Sequence, residues 1–341
     1  MTLTKFIKKM PKAELHVHLE GAVRPQTLLA LARRHGIALP SDTIEGLRQW
    51  YRFTNFPHFV EVYKQISQCI RTPEDIELIT REFLQQCAEQ NVRYVEAIYT
   101  PYTHYQQKGL RFARQFAALT EARAWGRETL GVHMNLILDI SREVPAEEGR
   151  VTAGWAIQGM GQGVVALGLG GNEAGNPPEK FAEAFAMAEE AGLPSVPHAG
   201  ETAGPESIWG ALQVLKAVRI GHGVRCLEDP VLVEELRRRQ IPLEVCPTSN
   251  VHLKVAPSLE EHPLPRLIEE GLRVTINSDD PPLFNTTLTG EYVKIAQTFG
   301  YDEADVERLV MNAVQAALVD EEERAEMVAA FEREFAEVRG G

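Results

Sequence analysis

The chain has 341 residues, 44% hydrophobic and 24% charged, with a formal net charge of −13 from 48 acidic against 35 basic side chains. A chain of this size and composition buries a core without help from disulfides, and its acidity argues against a nucleic-acid partner, since nothing in it would replace phosphate counterions. Cys69, Cys87, Cys226 and Cys246 stand far apart with no CxxC pair, no stretch reaches the roughly 20 apolar residues of a membrane span, and the N-terminus has no apolar signal core. The expected home is a reducing cytoplasm, with no membrane partner.

Along the chain, short β-type runs alternate with amphipathic helical runs. The first strand is expected over 13–19, followed by a helix over 25–35 that opens at Pro25 and stops at Gly36. Extra helical pattern covers 56–70, then come a helix over 73–90 and a second strand over 92–100. Further strands are expected over 132–140, 163–169, 194–198, 218–222, 241–246 and 272–277, with helices over 178–191, 206–216 and 230–239 among them. Helices over 303–316 and 321–336 close the chain. Strands alternating with helices imply a parallel sheet. Eight of them predict an α/β fold, a (β/α)8 TIM barrel with extra helices after the first strand and at the C-terminus. No linker, repeat or low-complexity tract divides it, so residues 1–341 read as one domain. An open dinucleotide-binding sheet is the rival, but no strand runs into a GxGxxG turn, and Gly168, Gly170 and Gly171 lack that spacing.

Barrel enzymes keep their chemistry at the C-terminal ends of the strands, and metal-ligating residue types fall there. His16 and His18 lie two apart on the first strand, so period 2 aims both at one side. His198 ends the fifth expected strand, His222 the sixth, and Asp279 with Asp280 the eighth. Three imidazoles and one carboxylate suit zinc and leave a position for water. Each residue alone has a plainer reading, because an isolated HxH is more often incidental than ligating. Together they share one predicted rim. Glu201, three residues past His198 in HAGE, fits a proton shuttle tuned by burial; the plain alternative is an acid beside a helix N-terminus.

The segments PKAELHVHLEGA (11–22), GLGGNEAG (168–175), HAGET (198–202), RIGHG (219–223), LEVCPTSN (243–250) and INSDDPPLF (276–284) resemble, in order and spacing, the adenosine deaminase family. That resemblance implies one Zn²⁺ per chain held by His16, His18, His198 and Asp279, and hydrolytic loss of the 6-amino group of a purine nucleoside. It further implies that Glu201 protonates N1 and that His222 orients the attacking water, stabilises developing charge and takes the water's proton. Asp280 would bond N7, the backbone N–H of Gly171 would meet N3, and Glu20 would reach the sugar from the same strand face as His18, which lies beside the substrate.

Three places depart from the family pattern: Glu20 where adenosine-specific members have Asp, Asn172 where GDE is usual, and Ile98 with Tyr99 after Glu96. All are expected to touch the pocket beyond the purine ring. Adenosine or 2′-deoxyadenosine is the first expected substrate, with 6-aminodeoxyfutalosine, a menaquinone precursor, or free adenine as alternatives. RIGHG lacks the Asp that adenine deaminases place before this histidine. A binuclear amidohydrolase also begins with HxH, but the fourth strand has no lysine to bridge two metals. Cytidine-type zinc deaminases need HxE with PCxxC, which is absent. A non-catalytic binding protein would have little use for the full set of ligands, Glu201 and His222.

Overall fold

The structure is a computed structural model that describes residues 1–53 and 56–340. The hydrophobic runs pair in chain order as eight parallel strands: β1 (Lys12–His18), β2 (Val92–Tyr99), β3 (His133–Ser141), β4 (Val164–Gly170), β5 (Ser195–Ala199), β6 (Ile220–His222), β7 (Leu243–Val245) and β8 (Val274–Ile276). The sheet meets itself where Val17 bridges to Asp279. There His18 N–H donates to Asp279 O at 2.8 Å and Asp279 N–H donates to His16 O at 3.2 Å. This is the (β/α)8 barrel that the alternating runs implied. Among the described residues no helix is long and apolar enough to cross a membrane.

Helices Pro25–His35, Pro230–Arg239 and Glu303–Ala316 keep their expected bounds. The helix expected over 178–191 opens as a 3-10 turn, Pro178–Phe181, before its α-helical part, Ala182–Glu190. Helices Phe112–Leu130 and Ala146–Gln158 were not expected. Their apolar and polar residues mix around the axis, so neither shows the apolar stripe by which a surface helix is recognised. Strands β6 and β8 are three residues each, shorter than expected. Just beyond or at their ends, His222 (φ 61°) and Asp279 (φ 64°) take the left-handed conformation and the chain leaves the sheet.

Strand β1 carries the irregularity that places its histidines. Its register against β2 shifts between Glu14 and Val17. Glu14 lines an outer cleft with Phe83 and Cys87, whereas His16 and His18 turn inward. A bulge makes this change of face possible. The Asn277 side chain fills the gap left in the ladder, its Oδ1 accepting from the N–H of Leu15 at 2.9 Å and of His16 at 3.1 Å.

Inside the barrel, Ile98, Ile137, Ala166 and Val196 form an apolar cluster. Two residues before Ile98 on the same strand face, Glu96 takes part in an ionic group rather than an apolar layer. The buried guanidinium of Arg219 donates to Glu96 Oε2 at 2.5 Å, Glu244 Oε1 at 2.6 Å and Ala316 O at 2.8 Å. Leu318 N–H donates to Glu96 Oε1 at 2.6 Å, so the C-terminal segment is tied to the barrel interior. Arg219→Met would leave two buried carboxylates without their cation. The expected cost is about 3–5 kcal/mol, read as a lower denaturant midpoint; an unchanged midpoint would contradict the tie.

Candidate active site

At the mouth of the barrel, His16 and His18 from β1, His198 from β5 and Asp279 after β8 each turn one ligand atom to a common point, all within 4.8 Å of one another. His18 Nε2 and His198 Nε2 lie 3.2 Å apart. Asp279 Oδ1 is 3.6 Å from His16 Nε2 and 3.4 Å from His18 Nε2. Ligands at about 2.0–2.1 Å around a tetrahedral zinc stand roughly 3.3 Å apart. The back of each buried ring is anchored: His198 Nδ1–H donates to Leu169 O at 3.0 Å, and His16 Nδ1–H donates to Glu244 Oε2 at 2.9 Å. Their Nε2 lone pairs therefore face the common point, and His16 Nε2, buried, has no hydrogen-bond partner. An orphaned nitrogen and two facing lone pairs fit a cation among them.

Cys246 forms an overlapping set with His16, His222 and Asp279. The sets share His16, whose single inward nitrogen serves one ion. The Cys246 thiol donates to Glu244 O at 3.6 Å, and burial pushes it up, away from the thiolate a metal needs. The nitrogen-and-oxygen set is the better site.

His222 does not reach the mouth by alternation along β6. A Cβ on Gly221 would lie 2.8 Å from His16 Cε1, so position 221 already faces inward, and the left-handed turn at His222 brings the next side chain round as well. Its protonation is fixed by a chain of hydrogen bonds. Leu264 N–H donates to His262 Nδ1 at 3.0 Å, so His262 Nε2–H donates to Asn250 Oδ1 at 3.1 Å. The Asn250 amide must then donate from Nδ2 to His222 Nδ1, at 3.3 Å. Burial depresses the His222 imidazole to about 4. The neutral ring thus carries its hydrogen on Nε2, which points between Glu201 Oε1 at 3.7 Å and Asp279 Oδ2 at 4.0 Å.

Glu201 sits on a turn built around another acid. Glu173 accepts the N–H groups of Gly200, Glu201, Thr202 and Ala203 at 2.9, 3.0, 2.7 and 2.9 Å, and the Ser207 hydroxyl at 2.7 Å. Burial pushes Glu173 up, but the bonds from Ser207 and the backbone hold it below its ordinary range. The opposite holds for Glu201, which burial, then Asp279 and Glu173, push well up. Sequence reading gave no role to Glu173, Glu244, Asn250 or His262. The first three lie inside the quoted motifs, but only the fold shows what they bond.

Asp280 is buried beside Asp279 with its Oδ1 unpartnered. A Cβ on Gly21 would fall 1.6 Å from that oxygen, so glycine is required there. Gly171 (φ 94°) lies at the end of β4, its loop held by the Asn172 N–H donating to Glu143 Oε1 at 2.9 Å. Strand β1 ends at His18, so Glu20 is in the turn beyond it and not on the expected strand face. Its Oε1 accepts from Thr100 N–H at 3.1 Å and from His104 Nε2–H at 3.2 Å, while its Oε2 is buried without a partner. Three expected pocket contacts lie elsewhere. Tyr99 is buried with its hydroxyl on Gln115 at 2.7 Å and its ring stacked on His104. Ile98 belongs to the barrel interior. Asn172 caps its own loop, accepting from Ala174 N–H at 3.2 Å. From the helix Phe56–Cys69, Tyr63 brings its ring edge-on to His18 with centroids 6.3 Å apart.

The profile of the adenosine deaminase family matches residues 11–333. An adenine deaminase from Stutzerimonas stutzeri is 42% identical over 92% of this chain and 98% of its own length. An aminodeoxyfutalosine deaminase from Streptomyces avermitilis is 41% identical over 96% of this chain and 92% of its own. A crystal structure of an amidohydrolase from Burkholderia ambifaria with bound zinc superposes with a TM-score of 0.91 at 28% identity, covering 100% of this chain and 95% of that one.

The turn around Glu173 generates its own test. Glu173→Ala leaves buried N–H donors without an acceptor and should destabilise the fold by about 1–3 kcal/mol while leaving metal content unchanged. Thermal unfolding and metal analysis check this together; loss of the metal at full stability would contradict the role given to Glu173.

Proposed function

The chain belongs to the adenosine deaminase family and is a metal-dependent hydrolytic deaminase of purines; from that premise we propose that its substrate is a 5′-extended adenine nucleoside of the aminodeoxyfutalosine type. The observation that carries the nucleoside is Glu20 Oε2, a buried oxygen with no partner in the protein. Such an atom is costly unless a ligand supplies a donor, and a ribose supplies hydroxyls where free adenine has only N9–H. Position 221, where the family resemblance leads one to expect aspartate in an adenine deaminase, is glycine here, and the His16 ring lies where a side chain would begin. Adenosine itself was the first expectation; the 41% identical relative shifts the reading to the extended nucleoside. Free adenine is the second reading, favoured by the 42% identical adenine deaminase.

In this reading His16, His18, His198 and Asp279 hold one zinc per chain. When bound, the metal supplies Lewis-acid activation of the attacking water. The chain's own groups do the rest. Glu201, kept protonated by its burial among acids, delivers a proton to N1 and makes C6 electrophilic. His222 presents Nε2–H and so donates to the oxygen that gains charge; in place of His222, the Glu201 carboxylate, ionised once N1 holds its proton, takes the water's proton and passes it to the departing ammonia. Asp280 meets N7, and Gly171 N–H meets N3. Glu20 receives a donor from the sugar end.

Glu201→Gln should keep fold and metal and lower kcat by about 10²–10⁴-fold, because the amide cannot deliver the proton; near wild-type turnover would remove Glu201 from that role. Substrate choice is tested by kcat/KM for adenine, adenosine, 2′-deoxyadenosine, 5′-deoxy-5′-substituted adenosines and aminodeoxyfutalosine, followed by ultraviolet loss of the adenine chromophore. The extended nucleosides should lead. A higher value for adenine than for every nucleoside would overturn the substrate while leaving the deaminase intact.

A further inference from the structure

Asp139 is a buried acid that the reaction as described does not use. It lies near the end of β3, two residues beyond Ile137, which faces the barrel interior, so alternation turns its carboxyl into the mouth. It is 3% exposed, and its Oδ1 has no hydrogen-bond partner. The neighbouring strand makes room for it. Asp139 pairs with Gly168 in register, and a Cβ on Gly168 would lie 2.6 Å from Asp139 Oδ1. A Cβ on Gly170 would lie 2.5 Å from Asp139 Oδ2 and 3.4 Å from His198 Cε1, which sets the carboxyl at the level of the metal site. Arg142, the nearby guanidinium, donates from its terminal nitrogens to Asn176 O and His198 O. Among the described residues no ion pair joins the two. A carboxyl given this berth and left unsatisfied is shaped for a donor that arrives with the ligand.

The order of groups around the mouth says which donor. Glu201 follows β5, Gly171 follows β4, Asp139 lies near the end of β3, Thr100 follows β2, Glu20 follows β1 and Asp280 follows β8. With N1, N3 and N7 of the purine at Glu201, Gly171 and Asp280, N9 and its substituent face the remaining arc, between Gly171 and Asp280 by way of Asp139 and Glu20. In an anti nucleoside the 2′-hydroxyl lies on the N3 side of the glycosidic bond, and the 5′ end lies on the C8 side. Glu20 is next to Asp280, on the N7 side of that arc. Asp139 is next to Gly171, on the N3 side. We infer that Asp139 accepts a hydrogen bond from the ribose 2′-hydroxyl and makes the enzyme selective for ribonucleosides over 2′-deoxynucleosides. This rests on the nucleoside reading above.

The test is kcat/KM for adenosine and 2′-deoxyadenosine, with adenine alongside, in the wild type, Asp139→Ala and Asp139→Asn. The wild type should favour adenosine by roughly 10- to 100-fold. Asp139→Ala should collapse that ratio toward one, chiefly by loss on adenosine. Asp139→Asn keeps an acceptor oxygen of similar shape and should retain part of the preference, which guards against poor folding of the alanine variant. If both nucleosides lose equally in the two variants, or if the wild type does not discriminate, the assignment of Asp139 is overturned while the nucleoside reading stands. If adenine outruns every nucleoside, the nucleoside reading falls and this inference falls with it.

Discussion

Glu20, Asp139, Asp279 and Asp280 are all below 5% exposure, and the Glu201 side chain is 12% exposed, yet all five open into one barrel mouth. Carboxyl groups crowded out of water oppose one another's ionisation. Burial pushes Asp139, Glu201 and Asp280 up, and Asp279 adds to the rise of the last two. Asp279 is held down, against burial, by the imidazoles beside it, His16 foremost and then His222 and His18. Asp139, Glu201 and Asp280 pushed up beside an Asp279 held down is a division of charge in which a cation can be bound and a proton donated from the same cavity. The other features of the mouth serve that division of charge.

The scaffold reaches it by breaking its own regularity. Parallel strands alternate their side chains, and strict alternation would not bring His16, His222 and Asp279 together. A bulge in β1 turns His16 inward, and left-handed residues turn His222 and Asp279. Such conformations are unfavourable for residues with a Cβ and persist only where surrounding contacts fix them. Asn277 supports the bulge and Asn250 with His262 supports His222. Through Glu244, Arg219 and Glu96, the anchor of His16 extends to the Leu318 backbone, in the segment between the last two helices.

Strand order and the rim position of the histidines and acids were legible because both depend on local pattern: apolar runs of strand length, and imidazoles and carboxylates at their ends. His16 and His18 were readable as a pair from their spacing alone. What stayed hidden depends on contacts between distant segments. Glu173 looked like one acid in a loop, and its four backbone donors lie about thirty residues away. Tyr99 stood where a pocket residue was expected, but the parity of β2 sends it out to Gln115. Asp139 gave no signal, because its meaning lies in the two glycines of the next strand. The tautomer of His222 needed a four-residue hydrogen-bond chain, which no spacing encodes.

In the proposed metal centre three imidazoles and the Asp279 carboxylate are the ligands, and the Cys246 thiol is excluded though it sits within reach of His16 and Asp279. X-ray absorption at the zinc edge of the purified protein tests this most directly. The expected result is an imidazole-dominated shell of nitrogen and oxygen at about 2.0–2.2 Å with no sulfur. A sulfur scatterer at about 2.3 Å would place the ion in the His16, His222, Cys246 and Asp279 set instead and would contradict the site described.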